Sequence, residues 1–260
     1  MSNIALAFEQ TKQKGKKAFI PFITAGDPNL EATEHFVYAL ERAGSTVIEI
    51  GIPFSDPVAD GPVILRANLR AMEEGVELNK IFNTVKNIRK NTQIPLVFLM
   101  YANTIYHYGI QKFFKKCQEV GVDGVIIPDL PYEEKSEFDE VARECEVDMI
   151  TLIAPTSKDR TQMLCEDARG FLYCISSMGV TGVREKIETD FGKMFADIKK
   201  CSKIPTAIGF GIATPEQAAI LKDYADGIII GSAVVKIIEE NGQEAADKVE
   251  EFARSIIAVL

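Results

Sequence analysis

Eight short apolar runs, each closed by glycine, proline or polar residues, recur along the 260-residue chain. They are Ala18–Thr24, Val47–Ile50, Pro95–Met100, Gly124–Ile127, Asp148–Ile153, Phe171–Ile175, Pro205–Ile208 and Gly227–Ile230. Most are continuously apolar rather than alternating, the pattern of a parallel strand covered on both faces. The stretches between them carry helical spacing. Leu30–Ala43 follows Asp27-Pro28, and proline suits a first helical turn. Ile81–Lys90 aligns Ile81, Val85 and Ile88; Ile110–Val120 groups Phe113, Phe114 and Cys117. Pro215–Tyr224 follows Thr214, a good N-cap, and Gln243–Leu260 closes the chain. Strands alternating with helices predict an α/β fold. An open doubly wound sheet is the rival, but the strand count, the length and the lack of GxGxxG after the first run favour a closed (β/α)8 TIM barrel. The segment before Ala18 reads as an extra N-terminal helix able to plug the barrel floor. No Ser/Gly-rich or Pro-rich tract marks a boundary, so residues 1–260 are expected to form a single domain.

Charge and composition narrow the function classes. The net charge of −9 gives no electrostatic reason to bind nucleic acid or an anionic membrane. Any anionic substrate must be held locally, against the overall field. The cysteines (Cys117, Cys145, Cys165, Cys174 and Cys201) are odd in number and form no CxxC pair, as expected of reduced thiols in a cytosolic protein. His35 and His107 are far apart, without cysteine or carboxylate at ligand spacing, so no metal site is expected. The first residues lack a signal-peptide core. No run of about eighteen apolar residues suggests a membrane helix. A cytoplasmic location is therefore expected.

In a TIM barrel the active site lies at the C-terminal ends of the strands. After the second run comes Glu49, inside an apolar strand. A carboxylate buried there is costly unless paired or used, and burial raises its pKa toward that of a neutral-pH acid or base. It serves either as such a group or as the partner of an arginine or lysine at the barrel mouth. Asp56 and Asp60 follow in a loop rich in proline and glycine, where an Asx turn is the plain reading. With Glu49, one of them could complete an acid/base pair. Gly209-Phe210-Gly211 after the seventh run and Gly231-Ser232-Ala233 after the eighth precede helices, the second being a short extra one at Val234–Glu240. Glycine loops at helix N-termini let backbone amides hold a phosphate, although tight-turn glycines without a ligand would look the same. Ser176–Arg184 and the charged run to Asp190 make a long connection, either a lid or a surface loop. Phe22, Tyr101, Tyr173 and Phe210 fall at strand ends; each alone is core, and together they could line a slot for a flat ring.

The segment Ile48-Glu49-Ile50-Gly51-Ile52-Pro53-Phe54-Ser55-Asp56-Pro57-Val58-Ala59-Asp60-Gly61 resembles the signature of the tryptophan synthase α subunit family. The resemblance extends to Pro21–Pro28, Met100-Tyr101-Ala102-Asn103, Gly179-Val180-Thr181-Gly182, Gly209–Ile212 and Gly231-Ser232-Ala233, from about Phe8 to the C-terminus. It implies a lyase that cuts indole-3-glycerol phosphate into indole and glyceraldehyde 3-phosphate by retro-aldol chemistry. By that resemblance Glu49 is the general acid/base at indole C3, and Asp60 faces the indole N–H. The base that takes the glycerol hydroxyl proton stays open. Phe22, Tyr101 and Tyr173 would line the indole and glycerol pocket. Gly182, Phe210, Gly211, Gly231 and Ser232 would hold the phosphate, and Thr181 in the lid would reach Asp60 on closure. Some relatives carry arginine where this chain has Ser177, so the Asp60–Thr181 contact would carry more of the closure.

The family works with a β subunit, in an expected α2β2 heterotetramer. The resemblance places the docking face at Pro53–Pro62, Asn103–Tyr106 and Pro128–Pro131, with indole passed through an internal channel. No cofactor is expected in this chain, and pyridoxal phosphate would belong to the β partner. The alternatives are a stand-alone lyase releasing free indole, a non-catalytic phosphate-binding barrel that only activates a partner, and an unrelated phosphate-binding barrel isomerase or synthase.

Overall fold

The computed structural model describes residues 1–154, 157, 160–175, 184–209 and 211–260, with the backbone alone for 184–191. Strands β1 (Ala18–Thr24), β2 (Ile48–Gly51), β3 (Leu96–Leu99), β4 (Gly124–Ile126), β5 (Asp148–Met149), β6 (Thr151–Ile153), β7 (Leu172–Ile175), β8 (Thr206–Gly209) and β9 (Gly227–Ile230) form one parallel sheet. Its order is β5-β4-β3-β2-β1-β9-β8-β7-β6. The fifth apolar run is split at Ile150: its first half pairs with β4 and its second half with β7. Ile150 N still donates to Val125 O at 2.9 Å. One extended segment thus supplies both edges of the sheet, and the nine ladder segments are eight strands of a closed TIM barrel.

Twelve α-helices surround it among the described residues: α1 (Asn3–Gln13), α2 (Leu30–Ala43), α3 (Pro62–Glu73), α4 (Leu78–Ile88), α5 (Ala102–Tyr108), α6 (Ile110–Val120), α7 (Lys135–Glu144), α8 (Thr161–Glu166), α9 (Arg184–Cys201), α10 (Pro215–Leu221), α11 (Ser232–Asn241) and α12 (Ala246–Ile257). The reasons for several boundaries are local. Asn29 caps α2 by accepting from Ala32 N, and Gly44 ends it in the left-handed region at φ 101°. Thr214 and Gln217 close a capping box on α10. α2 and α6 match the expected spans, whereas α11 begins at Ser232, two residues before the expected Val234. The long connection expected to reach Asp190 ends earlier, because α9 already starts at Arg184.

Alternation along the strands sorts side chains between two cores. Ile48, Ile50, Leu96, Phe98, Leu172 and Cys174 face the helices. Ala18, Ile20, Val47, Val97, Ile126, Tyr173, Ala207 and Ile229 face the barrel axis. α1 closes the floor: Ile4 and Phe8 join the inner cluster, with Phe8 5.6 Å from Phe171. Gly124 makes room, since a Cβ there would lie 3.0 Å from Ile4 Cδ1. Among the described residues no helix is long and apolar enough to cross a membrane.

If α1 is part of the core, Phe8→Ala should cost about 3–5 kcal/mol of stability. Urea denaturation would show it, and a loss below about 1 kcal/mol would make the plug dispensable.

Candidate active site

Strand parity aims Glu49 at the barrel axis. Its neighbours Ile48 and Ile50 face the helices, and Glu49 stands in register between Phe22 of β1 and Val97 of β3. The residue is 1% exposed, and its Oε2 has no hydrogen-bond partner among the described residues. Among the described residues no arginine or lysine forms an ion pair with it. Burial, and secondarily the charge of Asp60, push its carboxyl up to about 8. Glu49 is therefore protonated at neutral pH.

Asp60 has the opposite surroundings. It sits in the loop between β2 and α3 and is half-buried. Burial raises its pKa, while hydrogen bonds from Tyr101 and Asn68 oppose the rise by favouring the charged form. Asn68 Nδ2 donates to Asp60 Oδ2 at 3.4 Å. The side chain is thus held from α3 and from the segment after β3 rather than by its own turn. Burial acts on both carboxyls, but only Asp60 is supplied with side-chain donors among the described residues.

The expected aromatic residues converge at this mouth. Phe22 is 4% exposed and Tyr173 8%. Both rings lie against glycine backbone: an added Cβ on Gly51 would lie 2.4 Å from Phe22 Cζ, and one on Gly209 would lie 2.7 Å from the Tyr173 hydroxyl. Half-buried Leu99, Leu152 and Ile175 complete an apolar cup beside the inner cluster. The Tyr173 hydroxyl stays neutral, because burial and both carboxylates raise its pKa. Tyr101 serves the loop: its hydroxyl accepts from Ala59 N at 3.1 Å, and its ring stacks on Phe54 at 4.9 Å.

On the other side of β1 from β2, the loop after β8 carries Gly211, which adopts φ +79°. Gly231 starts α11 with no side chain capping it, which leaves first-turn amides free for an anion. Gly231 and Ser232 follow β9, beside β1, which carries Phe22. The expected site residues Thr181, Gly182 and Phe210, and the divergent Ser177, lie outside the described residues. Asn68 is absent from the sequence-predicted site because α3 is not among the predicted helices, although Pro62 at its first turn and the buried pair Ala67/Ala71 mark it. On the expected docking face, Val58 is 81% exposed and Tyr106 43%.

The sequence profile described as tryptophan synthase alpha chain matches residues 8–258. The tryptophan synthase alpha chain of Thermoanaerobacter sp. (strain X514) is 49% identical, with all of both chains covered. The structure of tryptophan synthase subunit alpha from Legionella pneumophila str. Paris is 34% identical, with a TM-score of 0.91 over 100% of this chain and 98% of that one. A chain of the tryptophan synthase α2β2 complex of the hyperthermophile Pyrococcus furiosus, described in terms of mutual activation, is 36% identical. Its TM-score is 0.86 over 94% of this chain and 99% of that one.

In the native chain Glu49 keeps its proton to about pH 8, whereas a free glutamate releases it near 4.5. Between those values each pH unit favours unfolding by about 1.4 kcal/mol. The stability advantage of Glu49→Gln should therefore grow from pH 4.5 to pH 9 by several kcal/mol, read from urea denaturation at both values. A difference that does not change with pH would mean that Glu49 titrates as an ordinary carboxylate.

Proposed function

The chain belongs to the tryptophan synthase alpha chain family and cleaves indole-3-glycerol phosphate to indole and glyceraldehyde 3-phosphate, and we propose that Glu49 and Asp60 are its acid/base pair. One observation carries the assignment: Glu49 is a buried, inward-facing carboxyl with an unpartnered oxygen, held protonated at neutral pH next to Asp60.

The indole ring would occupy the cup of Phe22, Leu99 and Tyr173, with Tyr101 at the glycerol edge. Glu49 gives its proton to indole C3 as Asp60 takes the proton of the ring N–H, forming the indolenine. The C3 substituent then leaves: the carbon–carbon bond electrons return to the ring, and the nitrogen regains its proton from Asp60. The adjacent hydroxyl loses its proton as its carbon becomes the aldehyde. Glu49, ionised by the first step, is the base left to accept that proton, so the carboxyl ends as it began. Burial raises the Asp60 pKa, and the hydrogen bonds from Tyr101 and Asn68 oppose that rise and hold the carboxyl in place.

We assign the phosphate to the backbone amides of Gly211, Gly231 and Ser232, with Gly182 and Phe210 in the same role and Thr181 as the lid contact to Asp60. Backbone dipoles explain how a chain of net charge −9 holds an anion. The carbon–carbon bond breaks with proton transfers alone to assist it, so the chain is assigned no cofactor of its own; pyridoxal phosphate belongs with the partner. The chain pairs with a tryptophan synthase β subunit, in an assembly like the α2β2 complex of its Pyrococcus furiosus relative. We place the docking face at Pro53–Pro62, Asn103–Tyr106 and Pro128–Pro131. The chain is read as one domain acting in the cytoplasm.

Indole release from indole-3-glycerol phosphate tests this reading. Slow release by the chain alone and a large acceleration by added β subunit are expected; a fast rate unchanged by the partner would identify a stand-alone lyase. Glu49→Gln should lower kcat by about 10³-fold or more, and Asp60→Asn by about 10²-fold. Both should keep glycerol 3-phosphate affinity within about threefold, since neither change removes a phosphate contact. Near-normal turnover in either variant would remove that residue from the chemistry.

A further inference from the structure

The ring end and the phosphate end of the proposed site rest on different elements, and one helix touches both. α3 begins at Pro62, two residues beyond Asp60, and its Asn68 donates to the Asp60 carboxylate. Two arginines on the same helix reach the other way. Arg70 Nε and Nη2 each lie 2.8 Å from an oxygen of Asp27, which is 2% exposed and follows β1. Its remaining arm, Nη1, reaches Glu239 Oε1 of α11 at 2.9 Å. Arg66 grips the same carboxylate twice, at 2.7 and 2.9 Å. Glu239 stands seven residues after Ser232 on the helix whose N-terminus is assigned the phosphate.

The apolar contact between these helices is built from Val63, Ile64 and Ala67 of α3 against Val235 and Phe22. Non-directional packing of this kind specifies sliding position weakly. Bidentate guanidinium–carboxylate pairs have fixed geometry and specify it strongly.

We propose that Arg70, through Asp27 and Glu239, is a positioning residue that sets the register of α11 against α3, and with it the distance between the phosphate amides and the Asp60 loop. The inference rests on the function proposed above. A substrate that spans both ends needs that distance to be right, whereas a fragment that fills one end does not. The pairs made by Glu239 are partly solvated, with Arg66 50% and Glu239 25% exposed, so they add little to global stability.

The test uses Glu239→Gln, which leaves the Asp27–Arg70 pair intact. Binding is measured by calorimetry for glycerol 3-phosphate, for indole, and for the phosphate ester of 3-(3-hydroxypropyl)indole, which joins ring and phosphate without a cleavable hydroxyl. The expected result is a loss of about tenfold or more for the joined ligand, with each fragment within about twofold. Arg70→Lys keeps a charge near Asp27 but lacks the fork, and should show the same split. Glu250→Gln, which removes the remote pairs of Glu250 with Arg42 and Arg254, should change none of the three affinities. Unchanged affinity for the joined ligand in Glu239→Gln would overturn the proposal. So would an equal loss for the joined ligand and glycerol 3-phosphate, which would place Glu239 in the phosphate contact itself. If the wild-type chain fails to bind the joined ligand, the function reading fails, a result distinct from either of these.

Discussion

The parallel ladder closes on itself because one extended segment, Asp148–Ile153, pairs with β4 through its first half and with β7 through its second. Closure leaves no free edge and gives every strand one face toward helices and one toward a shared axis. The inner face can then be dry from floor to mouth. Ile4 and Phe8 of α1 seal the floor, and only the ends of the strands meet solvent. What happens to a polar side chain on an inner position follows from that arrangement: it has lost water and must find a partner or change its protonation.

Glu49 takes the second course. Among the described residues its Oε2 has no partner, and its carboxyl keeps the proton at neutral pH. Asp60, a few residues later, takes the first course with Asn68 and Tyr101. Two residues of the same chemical type, on one strand and the loop that follows it, thereby acquire different surroundings. α3 ties Asp60 to α11, since Asn68 holds Asp60 and Arg66 and Arg70 hold Glu239 of α11. The aromatic walls depend on glycine for the same geometric reason as the floor plug does: Gly51 and Gly209 leave the space that Phe22 and Tyr173 occupy.

Much of this is legible in the amino-acid sequence, and the gaps have identifiable causes. Strands flanked by turn residues and helices with clear apolar faces, such as α2 and α6, appear where periodicity puts them. α3, α5, α7, α8 and α9 escape that reading, the start of α9 having the charged character of the long connection before it. In α3 the polar residues Asn68, Arg66 and Arg70 point to different neighbours, one of them remote in sequence: Glu239 is 173 residues from Arg66. No local pattern announces such pairs. The interruption at Ile150 is equally hidden, because an unbroken apolar run does not reveal a change of pairing partner.

The amino-acid sequence by itself determined the strand and helix alternation, the enclosure of Glu49 in an apolar strand and the glycine loops at two helix starts. These are consequences of side-chain chemistry and near-neighbour spacing. The tertiary structure alone decided that Glu49 faces the axis, that Asn68 and Tyr101 converge on Asp60, and that Arg70 bridges Asp27 to Glu239. The physical reason is that a pKa or a hydrogen bond depends on which groups share a volume. Here the shared volumes are created by barrel closure, which brings together residues far apart along the chain.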